Sequence, residues 1–250
     1  MKYSLDKKDF IEVYDTKLYR IIAESDFSDV YKGDKGGYIE SENNLSHSGD
    51  AWVSGNAQVS GNAQVSGDAQ VSGNAWVYGN AQVSGDAQVS GNARVYGNAW
   101  VSGNARVSGN AQVSGDAQVS GKAQVYGDAQ VYGDARVYGN AWVSGNARVS
   151  GNAWVYGNAW VYGNAWVYGN AQVSGNLDLI VIHNIGSRNS SLTICKQKDG
   201  SLMYATGCFY GNEDSFVKSV NNTHKDNVHG KTYMAAIAMA KIMMTPKSAA

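Results

Sequence analysis

The chain has 250 residues, enough to bury a core without disulfides or structural metals. Thirty glycines beside a single proline, Pro246, exclude a collagen-like polymer, and 43% hydrophobic residues in strict periodicity exclude a disordered low-complexity tract. A formal charge of −1 leaves no field to hold nucleic acid or an anionic membrane.

Residues 1–15 alternate charged and apolar types without the apolar core of a secretory signal, and no run approaches the ~20 apolar residues of a membrane span. The two cysteines, Cys195 and Cys208, are too few for a disulfide framework. A cytoplasmic protein with reduced thiols is the expectation. Residues 1–50 read as a β-rich N-terminal cap. Strand-like runs at 10–14 and 17–23 are joined by an Asp-Thr turn, and the segment 26–30, a glycine-rich stretch at 33–37 and residues 45–50 lead into the repeats.

From Ala51 to Asn176 the chain reads A-x-V-[S/Y]-G-[N/D] without a break, with x as Gln, Trp or Arg and Lys122 the one exception at the sixth position. The valines recur every sixth residue from Val53 to Val173, giving 21 repeats. Such a period marks a parallel β-helix with one unit per flat face. Side chains alternate along x-V-[S/Y], so an inward Val sends its neighbours outward. Gly accepts a left-handed backbone, Asn or Asp is the type most at home there after it, and Ala fits where the chain turns inward. Ordering six residues costs on the order of 6–12 kcal/mol, whereas burying one Val returns about 1.5–3, so stability has to come from stacking. With three faces, 18 residues make a coil and the repeats make about seven coils, a prism roughly 34 Å long.

The unit, as in Val77-Tyr78-Gly79-Asn80-Ala81-Gln82, resembles the hexapeptide of left-handed parallel β-helix proteins, a superfamily that includes many acyltransferases. That resemblance implies a three-sided, left-handed coil, against the usual right-handed rule for parallel crossovers. The stretch LYRIIAESDFSDVYKGDKGGYIESENNLSHSGDAWV resembles the N-terminal segment of bacterial and bacteriophage hexapeptide-repeat proteins commonly labelled transferases. The resemblance covers roughly residues 18–176 and implies the fold far more than an activity.

Residues 177–250 read as a small α+β domain. Strands are expected over 177–185, 191–196 and 202–210, the last two joined by an Asp199-Gly200 turn. Helices are expected over 212–220 and 231–244, with Pro246 stopping the second. The run GCFYGNEDSFVKSVNNTHKDNVHGKTYMAAI resembles a small domain of phage and bacterial proteins.

An acyltransferase of the β-helix type is expected to carry a His general base on its coils and loops that hold the acyl donor. The repeats contain no His, Cys or Glu and no insertion, which argues against acyl transfer and against a zinc site on the coils. Any chemistry would fall to Cys208, His224, Asp226 and His229, of which only the histidine pair has a zinc-like spacing, and the plainer reading is a buried thiol with solvated histidines. No catalytic residue, metal or cofactor is expected. Five Asp against four Arg and Lys122 in the repeats exclude a DNA mimic, and the absence of Thr there excludes an ice-binding face.

The remaining feature is aromatic. Three faces would place Trp142 below Trp160 and Tyr78 below Tyr96, and in the last coils Trp154, Trp160 and Trp166 with Tyr156, Tyr162 and Tyr168 would ring the prism. Exposed aromatic surface of this extent marks an interface. It could serve a homo-oligomer (a trimer or dimer), docking of the C-terminal domain, or a partner or glycan, while aromatics and glutamines such as Gln64 and Gln82 could equally stack in stiffening ladders. The expectation is a non-enzymatic scaffold or binding protein, with an acyltransferase as the alternative. The phage resemblance implies a host protein as partner, such as a component of bacterial defence.

Overall fold

The computed structural model describes residues 1–175 and 177–244; Asn176 and Pro246, the expected end of the repeats and stop of the last helix, lie outside them. Each repeat supplies a two-residue strand, from Trp52–Val53 to Gln172–Val173. Each pairs in parallel with the strand 18 residues on, as Trp142 does with Trp160 and Val143 with Val161. Every third strand therefore falls in one sheet, and three sheets wall a three-sided solenoid. We call them the hairpin face (Gln58 to Trp166), the Trp142 face (Trp52 to Trp160) and the Trp154 face (Gln64 to Gln172).

The repeat valines and alanines are all buried and form one continuous core. Repeat glycines from Gly55 to Gly169 turn each corner with φ between +62° and +74°. The Asn or Asp that follows does not share this left-handed backbone, contrary to the sequence reading. Its role is to stack. Asn62, Asn80 and Asn98 each donate a side-chain hydrogen bond to the residue one coil on, at 3.1, 3.0 and 2.8 Å, and the row ends on Asp116. A second row, continued from Asn74 through Asn92 and Asn110, ends on Asp128. A carboxylate accepts but cannot donate, so each Asp terminates its ladder.

The stack starts before the repeats. Tyr38 and Ile39 pair with Gln58 and Val59, and Leu45 pairs with Val65, adding a degenerate coil that brings the solenoid to about eight turns. This coil is two residues longer than the others. Ser46 N donates to Val65 O, whereas the regular relation is that of Ser54 N to Val71 O, so the excess lies between Ser46 and Trp52, where His47 stacks on Tyr3 at 4.3 Å.

An antiparallel hairpin of Tyr3–Val13 and Thr16–Ala23 closes the N-terminal end, its second strand pairing with Lys35–Ile39. The first strand starts earlier than the sequence pattern suggests. The turn sits on Tyr14 and Asp15, with φ of 46° and 63°, one residue before the expected Asp-Thr position. Two successive positive φ values match the twist of a tight hairpin. Tyr3 and Ile21 enter the core, the Tyr3 hydroxyl donates to Leu45 O at 2.6 Å, and the Lys2 ammonium donates to Ala51 O at 2.8 Å. The cap presses so closely that a Cβ on Gly37 would lie 2.6 Å from Ala57 O.

At the other end stands a four-stranded antiparallel sheet of Leu179–Ile185, Ser190–Lys196, Leu202–Thr206 and Phe209–Asn212. The single strand expected over 202–210 is split by a turn at Gly207, φ 57°. Alternation gives this sheet two buried faces. Cys195, Leu179, Val181 and Met203 close the open core of the prism, while Leu192, Ile194 and Tyr204 pack on helices α1 (Glu213–His224) and α2 (Val228–Met244). Asn212 caps α1 by accepting from Ser215 N, and α2 starts earlier than expected because Asn227 accepts from the His229 and Gly230 amides.

Candidate functional site

Outward positions repeat at one-coil spacing, so like side chains meet along each face. On the Trp142 face the rings of Trp142 and Trp160 are stacked, 5.1 Å apart and 4° from parallel, with Tyr126 edge-on to Trp142 at 6.2 Å. Trp160 and Tyr162 are 52% and 59% exposed. On the Trp154 face Tyr138 and Tyr156 stack at 5.2 Å, and the Arg136 guanidinium lies 5.2 Å from the Trp154 ring. On the hairpin face Tyr78 and Tyr96 stack at 4.9 Å, Tyr14 of the N-terminal turn reaches Trp76 at 6.1 Å, and Arg148 sits 5.3 Å from Trp166.

The seven aromatic residues singled out in the sequence lie on all three faces of the last coils. The C-terminal domain covers some of them. Tyr210 covers Tyr168 with ring centroids 3.7 Å apart, and Thr193 Oγ1 accepts from Trp166 N at 3.0 Å. Gln197 makes an antiparallel bridge to Ala171 in the last coil. Burial pushes the Tyr168 phenol up to about 12, with the neighbouring Tyr210 adding to it. Trp142, Trp160 and Tyr162 stay together on one face, where Trp160 and Tyr162 remain exposed. Trp154 and Tyr156 share another face, and Trp166 and Tyr168 the third.

Of the C-terminal candidates, Cys208 lies exposed on the turn after Gly207, and His224 ends α1. Both line one open cleft of about 270 Å³, together with Arg188 and Tyr233. The His224 and His229 rings meet at 5.7 Å, while Asp226 lies in the linker between the helices and is not part of that lining. Among the described residues no group of three or more His, Cys, Asp or Glu is placed to hold a metal ion. No described helix is long and apolar enough to cross a membrane.

Two family models match the coils. Residues 31–153 match Bactofilin, described as polymer-forming and cytoskeletal, and residues 153–169 and 159–175 match the YdcK β-solenoid repeat. The first match begins at Tyr31, just ahead of the degenerate coil, so it spans that coil as well as the regular repeats. No curated protein matches the chain.

Proposed function

We propose that this chain is a non-enzymatic β-solenoid scaffold, working in the cytoplasm, that assembles side by side with further copies of itself through the Trp142 face. The observation that carries the reading is the stacked pair of half-buried Trp142 and exposed Trp160, with exposed Tyr162 beside it, while the core is covered at both ends of the prism. The two caps close the apolar core at both ends, so the exposed aromatic side of the prism is the surface this reading uses for lateral association. The regular repeats carry no histidine to serve as general base, which weighs against acyl transfer. The family matched by residues 31–153 is described as polymer-forming, a property in keeping with self-assembly here.

Light scattering on the full chain and on the triple variant Trp142→Gln, Trp160→Gln, Tyr162→Ser tests this. Gln and Ser already occupy the same positions on this face at Gln124 and Ser144. The full chain should run as a multimer and the variant as a monomer. A monomeric full chain, or a variant of unchanged mass, would overturn self-assembly. A monomer that binds a host protein through this face would instead favour the phage-related role implied by the sequence resemblance.

A further inference from the structure

A second surface is built where the Trp154 face meets the C-terminal domain. An open cleft of about 770 Å³ lies there, lined by Trp154 from the solenoid and by the 197–201 turn and Met203 from the C-terminal side. Its size is within the range of small-molecule sites. The lining is dominated by carboxamides. Asn152 and Asn170 come from one corner row, Gln172 from the last coil and Gln197 from the turn that follows Ser190–Lys196.

These amides are not used as amides are used elsewhere in the solenoid. Asn62, Asn80 and Asn98 of the same corner row spend their donors on one another and on Asp116. Among the described residues, Asn152 and Asn170 form no such side-chain bond. Gln197 Nε2 is buried with no hydrogen-bond partner. A buried donor without an acceptor is costly, and turning this amide towards the cleft would let a ligand supply one.

The charge in the cleft is balanced, with Lys198 beside Asp199. Asp199 Oδ1 accepts from Ser201 N and Oγ at 2.9 and 2.6 Å, which leaves Oδ2 facing no protein donor. A single lysine next to a carboxylate is poor chemistry for phosphate. Neutral amides that donate and accept, one carboxylate and an indole form the set that suits a ligand rich in hydroxyls on an apolar ring. We propose that this cleft binds a neutral oligosaccharide, one sugar lying against Trp154 while its hydroxyls pair with the amides of Asn152, Asn170 and Gln197. The site belongs to the Trp154 face, so it is independent of assembly through the Trp142 face.

Saturation-transfer NMR and calorimetry on the full chain, with cellotetraose, chitotetraose and maltotetraose as probes, test the proposal. At least one should bind with Kd below about 1 mM. Trp154→Gln, which places in the same sheet a residue already present at Gln118 and Gln172, should weaken that binding at least about tenfold. Trp160→Gln should leave it unchanged, and unaltered circular dichroism of both variants excludes unfolding as the cause. Absence of binding by all three sugars, or equal loss in the two variants, would overturn the proposal. Preference for an uncharged acetylated Gly-Ser peptide over every sugar would overturn it too, assigning the cleft to a protein segment.

Discussion

Tyr210 of the C-terminal sheet lays its ring on that of Tyr168 in the last coil, with centroids 3.7 Å apart and planes inclined by 32°. The pair joins a repetitive element to a unique one. Because burial raises the Tyr168 phenol to about 12 from an ordinary value near 10, its neutral form is favoured in the folded chain. The associated stability is complete below the unfolded value and is lost as pH climbs from about 10 towards 12, since the unfolded chain ionises first. Tyr210 is shifted in the same direction, mainly by burial. Melting temperature should therefore fall steeply across that window. Tyr210→Ala should cost about 1–3 kcal/mol at neutral pH and return the Tyr168 titration, followed by phenolate absorbance, towards the ordinary value.

The two thiols should behave oppositely. Cys195 is enclosed between the C-terminal sheet and the prism core, and burial pushes its thiol up to about 12, whereas Cys208 is exposed. The thiolate is the reactive form. Iodoacetamide at neutral pH should add one group per native chain, at Cys208, and two after denaturation, as read by intact mass. Two groups added at similar rates under native conditions would mean that the sheet does not stay seated on the prism.

Asp116 and Asp134 occupy successive places in one corner row, the Asp116 amide donating to Gly133 O at 2.9 Å. Two carboxylates there repel, and neither can pass a hydrogen bond onward. Asp116→Asn should extend the ladder that begins at Asn62 and stabilise the chain by roughly 0.5–1 kcal/mol, a gain that thermal melts at low salt would reveal. A lower melting temperature would show that the ladder contributes nothing.

Removing the C-terminal domain tests its role as a lid. A chain ending at Gly175 would expose the core edge that Cys195, Leu179, Val181 and Met203 now cover. Free edges and bare core should drive end-to-end association, seen in light scattering as a broad rise in mass. A soluble, monodisperse product of this truncation would refute the lid.

Much of the fold was legible because a strict period admits few arrangements. Once Val53 points inward, every sixth residue to Val173 must do so, and three faces follow in the observed pairing of Trp142 with Trp160. The degenerate coil was hidden because Tyr38, Ile39 and Leu45 join the sheets through backbone bonds without the repeat motif. The hairpin turn fell on Tyr14, where no glycine announces a positive φ and the ring finds Trp76 across the chain. The role of the corner asparagines was misread for a related reason. Their side chains are chosen by neighbours 18 residues away, not by the local turn.

The aromatic residues were identifiable by type, but which of them are covered depends on how a distant domain docks. The amides of the Trp154 cleft carried no signal at all. Asn170 and Gln172 are copies of residues that elsewhere only stack, and their position beside the 197–201 turn is what sets them apart.

The relation of each strand to the one 18 residues on makes the solenoid a ruler. Inserting one repeat would swing the C-terminal domain by a third of a turn and aim its clefts at a new side. Inserting three would keep its heading and carry it about 4.8 Å further from the N-terminal hairpin. Gain or loss of near-identical units is thus a means of setting distance and bearing between two fixed ends, with no new fold to be found at any step.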